Sequence, residues 1–377
     1  MYQKNNFCLH FLLLFSFWAV TQLLLLWQYG IVTGFEANKY IEQADYFLEN
    51  GHYATGNFLF YSTEILLIAA CKKFGIGYWP VIGVQFLFNA ISVYCFYYLA
   101  LKFTNRAKVA FWFTVAFLCM YYYHLYNVHL FTESLYFSFS IIIFYGLNKL
   151  NRLSIISLIA VLTGLVILYL TRPVGLFFIV ASFLFLVLKF FPKRAVLLFL
   201  TAGIFITLGF IFLLNRSLNS GGELDFLLPY LDERIICGVP TINTPHKLDV
   251  PIDADSVQGL FYIITNHWEL FFKLSVKRLL AFFGVLRSYY SLPHNIFIGI
   301  YFYSIYIFSI MGSRSWSSRN RPQVVFIMSM VFLTALTTAL SCDEWHNRFI
   351  LAIVPFLLLL ASLFFAEPAS KKASDDF

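Results

Sequence analysis

Long uninterrupted runs of apolar residues dominate the chain. A helix that crosses a bilayer needs roughly 20 mostly apolar residues, and about ten runs come close to this length. They are 7–32, 79–101, 108–126, 130–148, 154–170, 174–191, 195–214, 295–311, 323–341 and 348–366. A transmembrane barrel would instead alternate apolar and polar residues. The pattern therefore predicts an all-α polytopic membrane protein with about ten transmembrane helices.

Two longer, more polar segments separate some of these runs. The first, 33–78, contains a short apolar stretch, 58–71, that carries Glu64. A stretch of this size is expected to lie on the membrane surface as an interfacial helix. The second, 215–294, begins with a polar, Pro-containing part and ends in an amphipathic part. Neither segment predicts an independent domain, so residues 1–377 are interpreted as a single membrane domain.

Basic residues indicate the orientation, because short cytoplasmic connections are enriched in Lys and Arg. With the N-terminus inside, the inner connections hold Lys4, Lys102, Arg106, Lys108, Lys149, Arg152, Lys189, Lys193, Arg194, Arg314, Arg319, Arg321, Lys371 and Lys372. Only three acidic residues, Glu367, Asp375 and Asp376, fall on that side. We therefore expect any chemistry to face outward, with 33–78 and 215–294 as the two large outer loops. The compact size suggests a bacterial inner membrane, whose outer side faces the periplasm.

Composition narrows the class further. Hydrophobic residues make up 60% of the chain and charged residues 12%, whereas soluble domains average about 45–50% and about 25%. The formal net charge of +7 is interpreted as orientation signal, with no nucleic-acid partner. The six cysteines show no metal-ligand spacing, and no metal or other cofactor is expected. A Cys237–Cys342 bridge is one possibility, but free thiols are the preferred interpretation.

The first outer loop contains a predicted helix with a carboxylate at its start. Glu36, Tyr40, Ala44 and Phe47 recur at helical spacing, and Gly51 is a natural C-terminal stop. The Glu36 carboxylate, just beyond the membrane exit, could accept a proton from an acceptor hydroxyl. A structural role explains it equally well, since a carboxylate at a helix N-terminus interacts favourably with the helix dipole.

A second carboxylate, Glu133, lies at the outer end of the fourth apolar run. Ionisable groups close to a membrane core are costly and are usually functional or paired. Helix capping by the neighbouring Thr132 is the simpler explanation of this pair of residues. We favour a functional role for Glu133.

Basic residues also lie at predicted outer helix ends or on the amphipathic part of the second loop. They are Arg172, Lys277, Arg278 and Arg348. Guanidinium groups bind phosphate through paired hydrogen bonds, so this set suits a lipid-phosphate substrate. Taken singly, Arg348 could pair with Asp343 or Glu344, and Lys277 could extend to lipid headgroups.

In these residues the chain resembles the GT-C class of integral-membrane glycosyltransferases, which includes protein O-mannosyltransferases and the lipid A aminoarabinose transferase. The first-loop pattern of the class corresponds to Glu36, Tyr40, Ala44 and Gly51. Further points of resemblance are 58–71, the basic turn from Lys102 to Lys108, Glu133, Arg172-Pro173, and Arg348-Phe349 with Pro355. The first-loop acid of the class is usually Asp. Glu36 stands here instead, and Asp45 is the alternative base.

The resemblance implies a GT-C-like fold and transfer of a sugar from a polyprenyl-phosphate donor, with inversion and without a metal. The acceptor would be lipid-linked, a glycan or a protein. Glu36 would act as the base and Glu133 would orient the acceptor or the base. Tyr40, Arg172, Lys277, Arg278 and Arg348 would bind the substrates, the last three stabilising the departing phosphate.

Two other functions stay open at this point. One is a polymerase or ligase that uses diphosphate-linked oligosaccharides and depends on outer arginines more than on Glu36. The other is a flippase or transporter of lipid-linked sugars, which would need polar residues along a path through the bilayer.

Overall fold

The described part of the chain is helical. The computed structural model describes residues 2–195, 227–249, 256–316 and 320–367, together with 197–199, 203, 208, 209, 211 and 212. The α-helices of these residues are α1 (Tyr2–Tyr29), α2 (Glu36–Asn50), α3 (Ser62–Phe74), α4 (Trp79–Thr104), α5 (Ala107–Leu118), α6 (Tyr121–Leu125), α7 (Thr132–Lys149), α8 (Ile155–Tyr169), α9 (Gly175–Phe190), α10 (Leu228–Leu231), α11 (Val257–Asn266), α12 (Trp268–Gly284), α13 (Leu292–Gly312), α14 (Arg321–Leu340) and α15 (Arg348–Ser362). The extended pairings in these ranges are two isolated bridges, Val32–His129 and Ile236–Asp343.

Five helices among the described residues are long and apolar enough to cross a membrane. They are Cys8–Tyr29, Trp79–Thr104, Leu292–Ser315, Arg321–Leu340 and Trp345–Phe365. The helices Ala107–Leu118 and Tyr121–Val128 are bent by 61° at a short break and make a sixth span if they are counted together. The prediction of an all-α chain with membrane-spanning helices is confirmed to this extent.

The remaining predicted spans are shorter or lie outside the described residues. Helices α8 and α9 have 15 and 16 residues, and at ~1.5 Å per residue they are shorter than a hydrocarbon core of ~30 Å. The run 195–214 lies largely outside the described residues, as do 215–226 and 250–255 of the second loop. The total of about ten spans stays a prediction.

Helix α15 lies at the centre of the bundle. Its residues from Ile350 to Ser362 are almost all buried, and it packs against α4, α5, α7, α12, α13 and α14. Helices α1 and α13 instead expose many large apolar side chains, among them Leu12, Leu23 and Ile300. Apolar surface of this extent is expected where helices face lipid.

Helix ends that the charge pattern assigns to one side of the membrane also meet in space. Lys102 at the end of α4 and Lys189 at the end of α9 both donate to the Asn148 carbonyl near the end of α7. Such contacts satisfy carbonyls that have no partner within the helix. The Glu367 backbone, after α15, donates to Thr104 at 3.1 Å. The contacts agree with the predicted grouping of these helix ends.

The interpretation of Cys237 and Cys342 as free thiols is wrong. Their sulfurs form a disulfide, with Cα atoms 5.2 Å apart. The Cys237 N–H donates to the Asp343 carbonyl and the Asp343 N–H donates to the Ile235 carbonyl, both at 2.8 Å. This pairing brings the two cysteines into bonding range across 105 positions of sequence, which their spacing could not indicate.

Candidate functional site

Glu36 and Glu133 come together because the segments before their helices are paired. The Val32 N–H donates to the Val128 carbonyl at 2.9 Å, and the Leu130 N–H donates to the Val32 carbonyl at 3.1 Å. Glu36 is the first residue of α2 and Glu133 the second residue of α7. Both carboxylates therefore lie in the first turn of a helix, where the dipole favours negative charge.

The turn between α8 and α9 places Arg172 beside Glu133. The Thr63 N–H donates to the Leu170 carbonyl at 3.2 Å, and the Thr171 hydroxyl donates to Thr63 Oγ1 at 2.9 Å. These bonds attach the turn to the start of α3. Gly175 packs closely against the end of α8, because a Cβ at this position would lie only 2.7 Å from the Leu168 carbonyl oxygen. The Arg172-Pro173-Val174-Gly175 sequence thus forms a compact corner.

Arg348 is presented by a short segment that is fixed at several points. Besides the disulfide, the buried Arg287 guanidinium forms an ion pair with the buried Asp343 carboxylate. The Asn347 side chain donates to the Val285 carbonyl at 2.8 Å. Arg348 follows immediately as the first residue of α15.

The side chains of Glu36, Glu133, Arg172 and Arg348 contact one another, and we call this group the charged cluster. Arg348 Nη1 donates to Glu36 Oε2 and, at 2.8 Å, to Glu133 Oε1. Arg172 forms an ion pair with the same Glu133 oxygen. Tyr40 donates its hydroxyl proton to Glu36 Oε1 at 2.8 Å. The structure therefore brings together five of the seven residues predicted for the site.

Two more charged residues complete the charged cluster. Lys39 Nζ lies 3.1 Å from Glu36 Oε1, and Arg348 Nη2 lies 3.2 Å from Glu344 Oε2. Three carboxylates then face three cations, so the formal charge of this set is zero. The local pairing of Arg348 with Glu344 that the sequence allowed is present alongside the long-range pairs.

Burial and charge act in opposite directions on Glu36. Burial raises the pKa of its carboxyl, but the positive charges of Arg348, Lys39 and Arg172, together with the Tyr40 hydrogen bond, bring that pKa well below the ordinary 4.5. Burial raises the pKa of Tyr40 well above 10.0, with the nearby carboxylates adding to the effect. Glu36 is thus an ionised acceptor and Tyr40 a neutral donor.

The predicted site residues of the second loop lie elsewhere. Arg278 is fully buried, and its guanidinium donates to the carbonyls of Arg234, Pro229 and Ala339 at 2.9, 2.9 and 3.3 Å. Lys277 lies 3.8 Å from the Glu233 carboxylate in a separate group. The alternative base also lies elsewhere: the Asp45 carboxylate accepts from Lys72 Nζ at 2.6 Å.

Sequence reasoning missed Lys39 and did not assign a role to Glu64. Lys39 could have been found from its position three residues after Glu36, on the same helical face. Glu64 is fully buried at the start of α3, and Gln85 donates to it at 3.4 Å. Burial raises the pKa of the Glu64 carboxyl well above 4.5. Nothing in its apolar sequence surroundings distinguished it.

Chemically, the charged cluster combines a carboxylate that can accept a proton with two guanidinium groups that can bind an anion. Among the described residues, no group of three or more His, Cys, Asp or Glu side chains could hold a metal ion. The sequence matches no family model, no curated protein and no solved structure.

Proposed function

We propose that the protein is a membrane glycosyltransferase that moves a sugar from a polyprenyl-phosphate donor to an acceptor hydroxyl, with inversion and on the periplasmic side of a bacterial inner membrane. One observation carries the proposal. Residues from four distant parts of the chain, Glu36, Glu133, Arg172 and Arg348, converge in one charged cluster at helix ends of an apolar bundle. The charged cluster offers the base and the cations that this reaction requires.

In the proposed reaction, Glu36 accepts the proton of the acceptor hydroxyl. The hydroxyl oxygen forms a bond to the anomeric carbon of the donor sugar, on the face opposite the lipid phosphate. The bond between that carbon and the phosphate oxygen breaks, and the phosphate leaves with the electron pair. General-base catalysis of this kind contributes roughly 10²- to 10⁴-fold to a rate.

The departing phosphate acquires negative charge that Arg348 and Arg172 are placed to stabilise. Both guanidinium groups are largely buried, with side chains 16% and 12% exposed, and cations in a water-poor site stabilise developing charge most effectively. Glu133, held between the two arginines, fixes their positions.

Donor binding also has a consequence for the base. In the structure the Glu36 carboxylate is paired with Arg348, which makes it a weak proton acceptor. A donor phosphate would add one negative charge to a set whose formal charge is zero, and would compete with Glu36 for the Arg348 guanidinium. We propose that this competition frees Glu36, so that the base becomes available only when the donor is bound.

Mass spectrometry of lipid-linked sugars tests the proposed function. The strains would carry the wild-type protein, no protein, or the Glu36→Gln variant, with Glu42→Gln as the matched control because Glu42 is an exposed residue of the same helix. We expect a polyprenyl-monophosphate sugar to accumulate without the protein and in Glu36→Gln, but not in Glu42→Gln.

Other outcomes would contradict the proposal. Accumulation of a diphosphate-linked oligosaccharide, with Glu36→Gln behaving as wild type, would indicate the polymerase or ligase alternative. Accumulation of a lipid-linked sugar on the cytoplasmic leaflet alone, measured by access to an added glycosidase, would indicate a flippase. No change in any lipid-linked species would refute all three functions.

A further inference from the structure

Four aromatic rings form a platform beside the charged cluster. Tyr289 and Trp345 lie with ring centroids 5.2 Å apart, and His346 lies 6.1 Å from each of them. Tyr290 lies nearly parallel to His346, at 6.2 Å and an interplanar angle of 14°. Tyr289 is perpendicular to His346 and tilted by 45° from Trp345, so the rings present several faces and not one flat surface. We call Tyr289, Tyr290, Trp345 and His346 the aromatic platform.

Three of the four rings of the aromatic platform are exposed, and Tyr290 is half-buried. Tyr289 and Trp345 are 41% and 37% exposed, and His346 is exposed as well. The residues that flank Trp345 and His346 along the chain point inward, since Asp343 and Asn347 are 1% and 2% exposed. Exposed aromatic rings also occur where helices face lipid, but these rings lie next to the buried polar residues of the segment that presents Arg348.

Rigid anchoring holds the aromatic platform in place. Trp345 rests against the second loop, where a Cβ on Gly238 would lie 3.4 Å from the indole nitrogen. His346 and Asn347 are consecutive residues with φ of 55° and 59°, a left-handed conformation that is rare outside glycine and that accumulates at functional sites. The ring of Tyr290 stacks on the ring of His294, and their centroids are 3.7 Å apart.

The same short segment carries the aromatic platform and the charged cluster. His346 precedes Arg348 by two residues, and Glu344 directly before Trp345 is an ion-pair partner of Arg348. A molecule lying on the platform would therefore contact the segment that presents Arg348. This is where an acceptor must be held if its hydroxyl is to reach Glu36.

We propose that the aromatic platform binds a sugar ring of the acceptor, so that the acceptor is a glycan. This inference rests on the proposed function. One face of a sugar ring presents C–H bonds, which match the negative face of an aromatic ring, while its hydroxyls need polar neighbours. The Tyr289 hydroxyl, the indole N–H of Trp345 and the His346 imidazole are the polar groups that these side chains carry. Lipid headgroups are the other occupant that such rings could have, since aromatic side chains form a belt at the membrane interface.

Calorimetric titration of the full-length protein in lipid nanodiscs tests the inference. The probes are neutral pentasaccharides: maltopentaose, cellopentaose and chitopentaose. We expect at least one to bind, with Kd raised at least about tenfold in Trp345→Ala and in Tyr289→Ala. Trp345→Phe keeps a ring and should change Kd less than about threefold. The matched control is Trp268→Ala, since Trp268 is 60% exposed on α12 and lies outside the platform.

A fluorescence measurement separates a sugar from a lipid occupant. The emission of Trp345 is obtained as the difference between wild type and Trp345→Phe, in nanodiscs with and without brominated acyl chains. We expect the pentasaccharide, and not the brominated lipid, to change this emission. Quenching by the lipid alone, binding of none of the pentasaccharides, or equal binding by wild type and Trp345→Ala would overturn the inference.

Failure of the inference and failure of the proposed function give different results. If wild type transfers sugar but Trp345→Ala binds and transfers equally well, the function stands and the glycan subsite is wrong. If pentasaccharides bind through Trp345 but Glu36→Gln leaves all lipid-linked sugars unchanged, the subsite stands and the transferase assignment is wrong.

Discussion

The Arg348 guanidinium at the start of α15 donates a hydrogen bond to the Glu36 carboxylate at the start of α2, across 312 positions of sequence. This contact joins the central helix of the bundle to the first loop. It also determines the protonation of the candidate base, because a carboxylate beside a guanidinium holds its proton weakly. The pair thus links the stability of the bundle to the reactivity of Glu36.

The first prediction concerns the stability of the Glu36→Gln variant at different pH. Burial raises the pKa of the Glu36 carboxyl, but the neighbouring cations lower it by a larger amount. The pKa in the folded state therefore lies below 4.5. A carboxyl whose pKa is lower in the folded state stabilises the fold above its unfolded pKa and loses this effect as the pH falls. We expect Glu36→Gln to be less stable than wild type at pH 7 by about 1–3 kcal/mol, somewhat less than for a fully buried pair.

Thermal unfolding of the purified protein, followed by intrinsic fluorescence between pH 7 and pH 3, checks this prediction. The difference in Tm between wild type and Glu36→Gln should shrink as the pH falls below 4.5, because the Glu36 carboxyl of the unfolded wild-type chain then binds a proton that the folded carboxylate does not bind. Glu42→Gln should show no such trend. A Tm difference that is independent of pH would mean that Glu36 contributes by packing and not by charge.

Much of the fold and of the charged cluster could be predicted from the sequence. Apolar runs of sufficient length predict helices, and 79–101 and 323–341 correspond closely to α4 and α14. Following the predicted spans in order assigns each charged residue to one side of the membrane. This assignment predicts that Glu36, Glu133, Arg172 and Arg348 all lie at outer helix ends. That they touch could be expected only from the resemblance, since helical periodicity says nothing about which helix ends meet.

The role of Arg278, the disulfide and the aromatic platform depend on long-range contacts, which leave no local pattern in the sequence. Arg278 has the residue type and the predicted position of a phosphate ligand, yet three carbonyls from two separate segments accept from its guanidinium. The pairing of Ile236 with Asp343 and the disulfide beside it come from the same kind of contact. The aromatic platform was missed because Tyr289 and Trp345 are distant in a sequence in which 20% of residues are aromatic.

The two arginines of the charged cluster should respond differently to replacement by lysine. Arg348 contacts three carboxylates through two nitrogens, which a single ammonium group cannot reproduce. Among the described residues, Arg172 forms an ion pair with one carboxylate, that of Glu133. We expect Arg348→Lys to lower the transfer rate by roughly 10²-fold and Arg172→Lys by about tenfold or less, a difference set by the number of interactions lost.

Initial rates of sugar transfer by the purified variants measure this difference. Arg314→Lys is a suitable control, because Arg314 is an exposed arginine remote in sequence from the charged cluster and on the predicted inner side. Equal rates for Arg348→Lys and wild type would show that charge alone suffices at this position. A larger loss in Arg172→Lys than in Arg348→Lys would assign the phosphate contact mainly to Arg172.

The disulfide should stabilise the segment that carries Arg348. Removing a native disulfide typically costs about 2–5 kcal/mol in small secreted domains. Here the bridge joins the second loop to Cys342, six positions before Arg348. We expect Cys237→Ser and Cys342→Ser to lower Tm and the transfer rate together, and a reductant to have the same effect on wild type but none on either variant.

Cys119→Ser is the control for these variants, because Cys119 is an exposed free cysteine. Peptide mass spectrometry without reduction should detect the Cys237–Cys342 pair in wild type. A reductant that lowers Tm but leaves the transfer rate unchanged would limit the disulfide to a role in stability. Recovery of both cysteines as free thiols from the native membrane would contradict the pairing itself.

The last prediction separates the two adjacent basic residues of α12, which the sequence assigned to phosphate binding. Arg278 is buried over the Tyr230 ring, 4.7 Å from its centroid, and donates to three backbone carbonyls. In Arg278→Lys some of these carbonyls lose their partner, and unpaired buried polar groups cost about 1–3 kcal/mol each. We therefore expect Arg278→Lys to lower Tm by several degrees.

Lys277 is 45% exposed and lies 3.8 Å from Glu233, so Lys277→Gln should leave Tm nearly unchanged. Unfolding scans and donor titrations on both variants distinguish a structural role from a phosphate-binding role. A lower Tm with unchanged donor affinity in Arg278→Lys would make this arginine a support for the second loop. Weaker donor binding in Lys277→Gln at an unchanged Tm would instead extend the phosphate site to α12, because an exposed lysine could affect the donor only by contacting it.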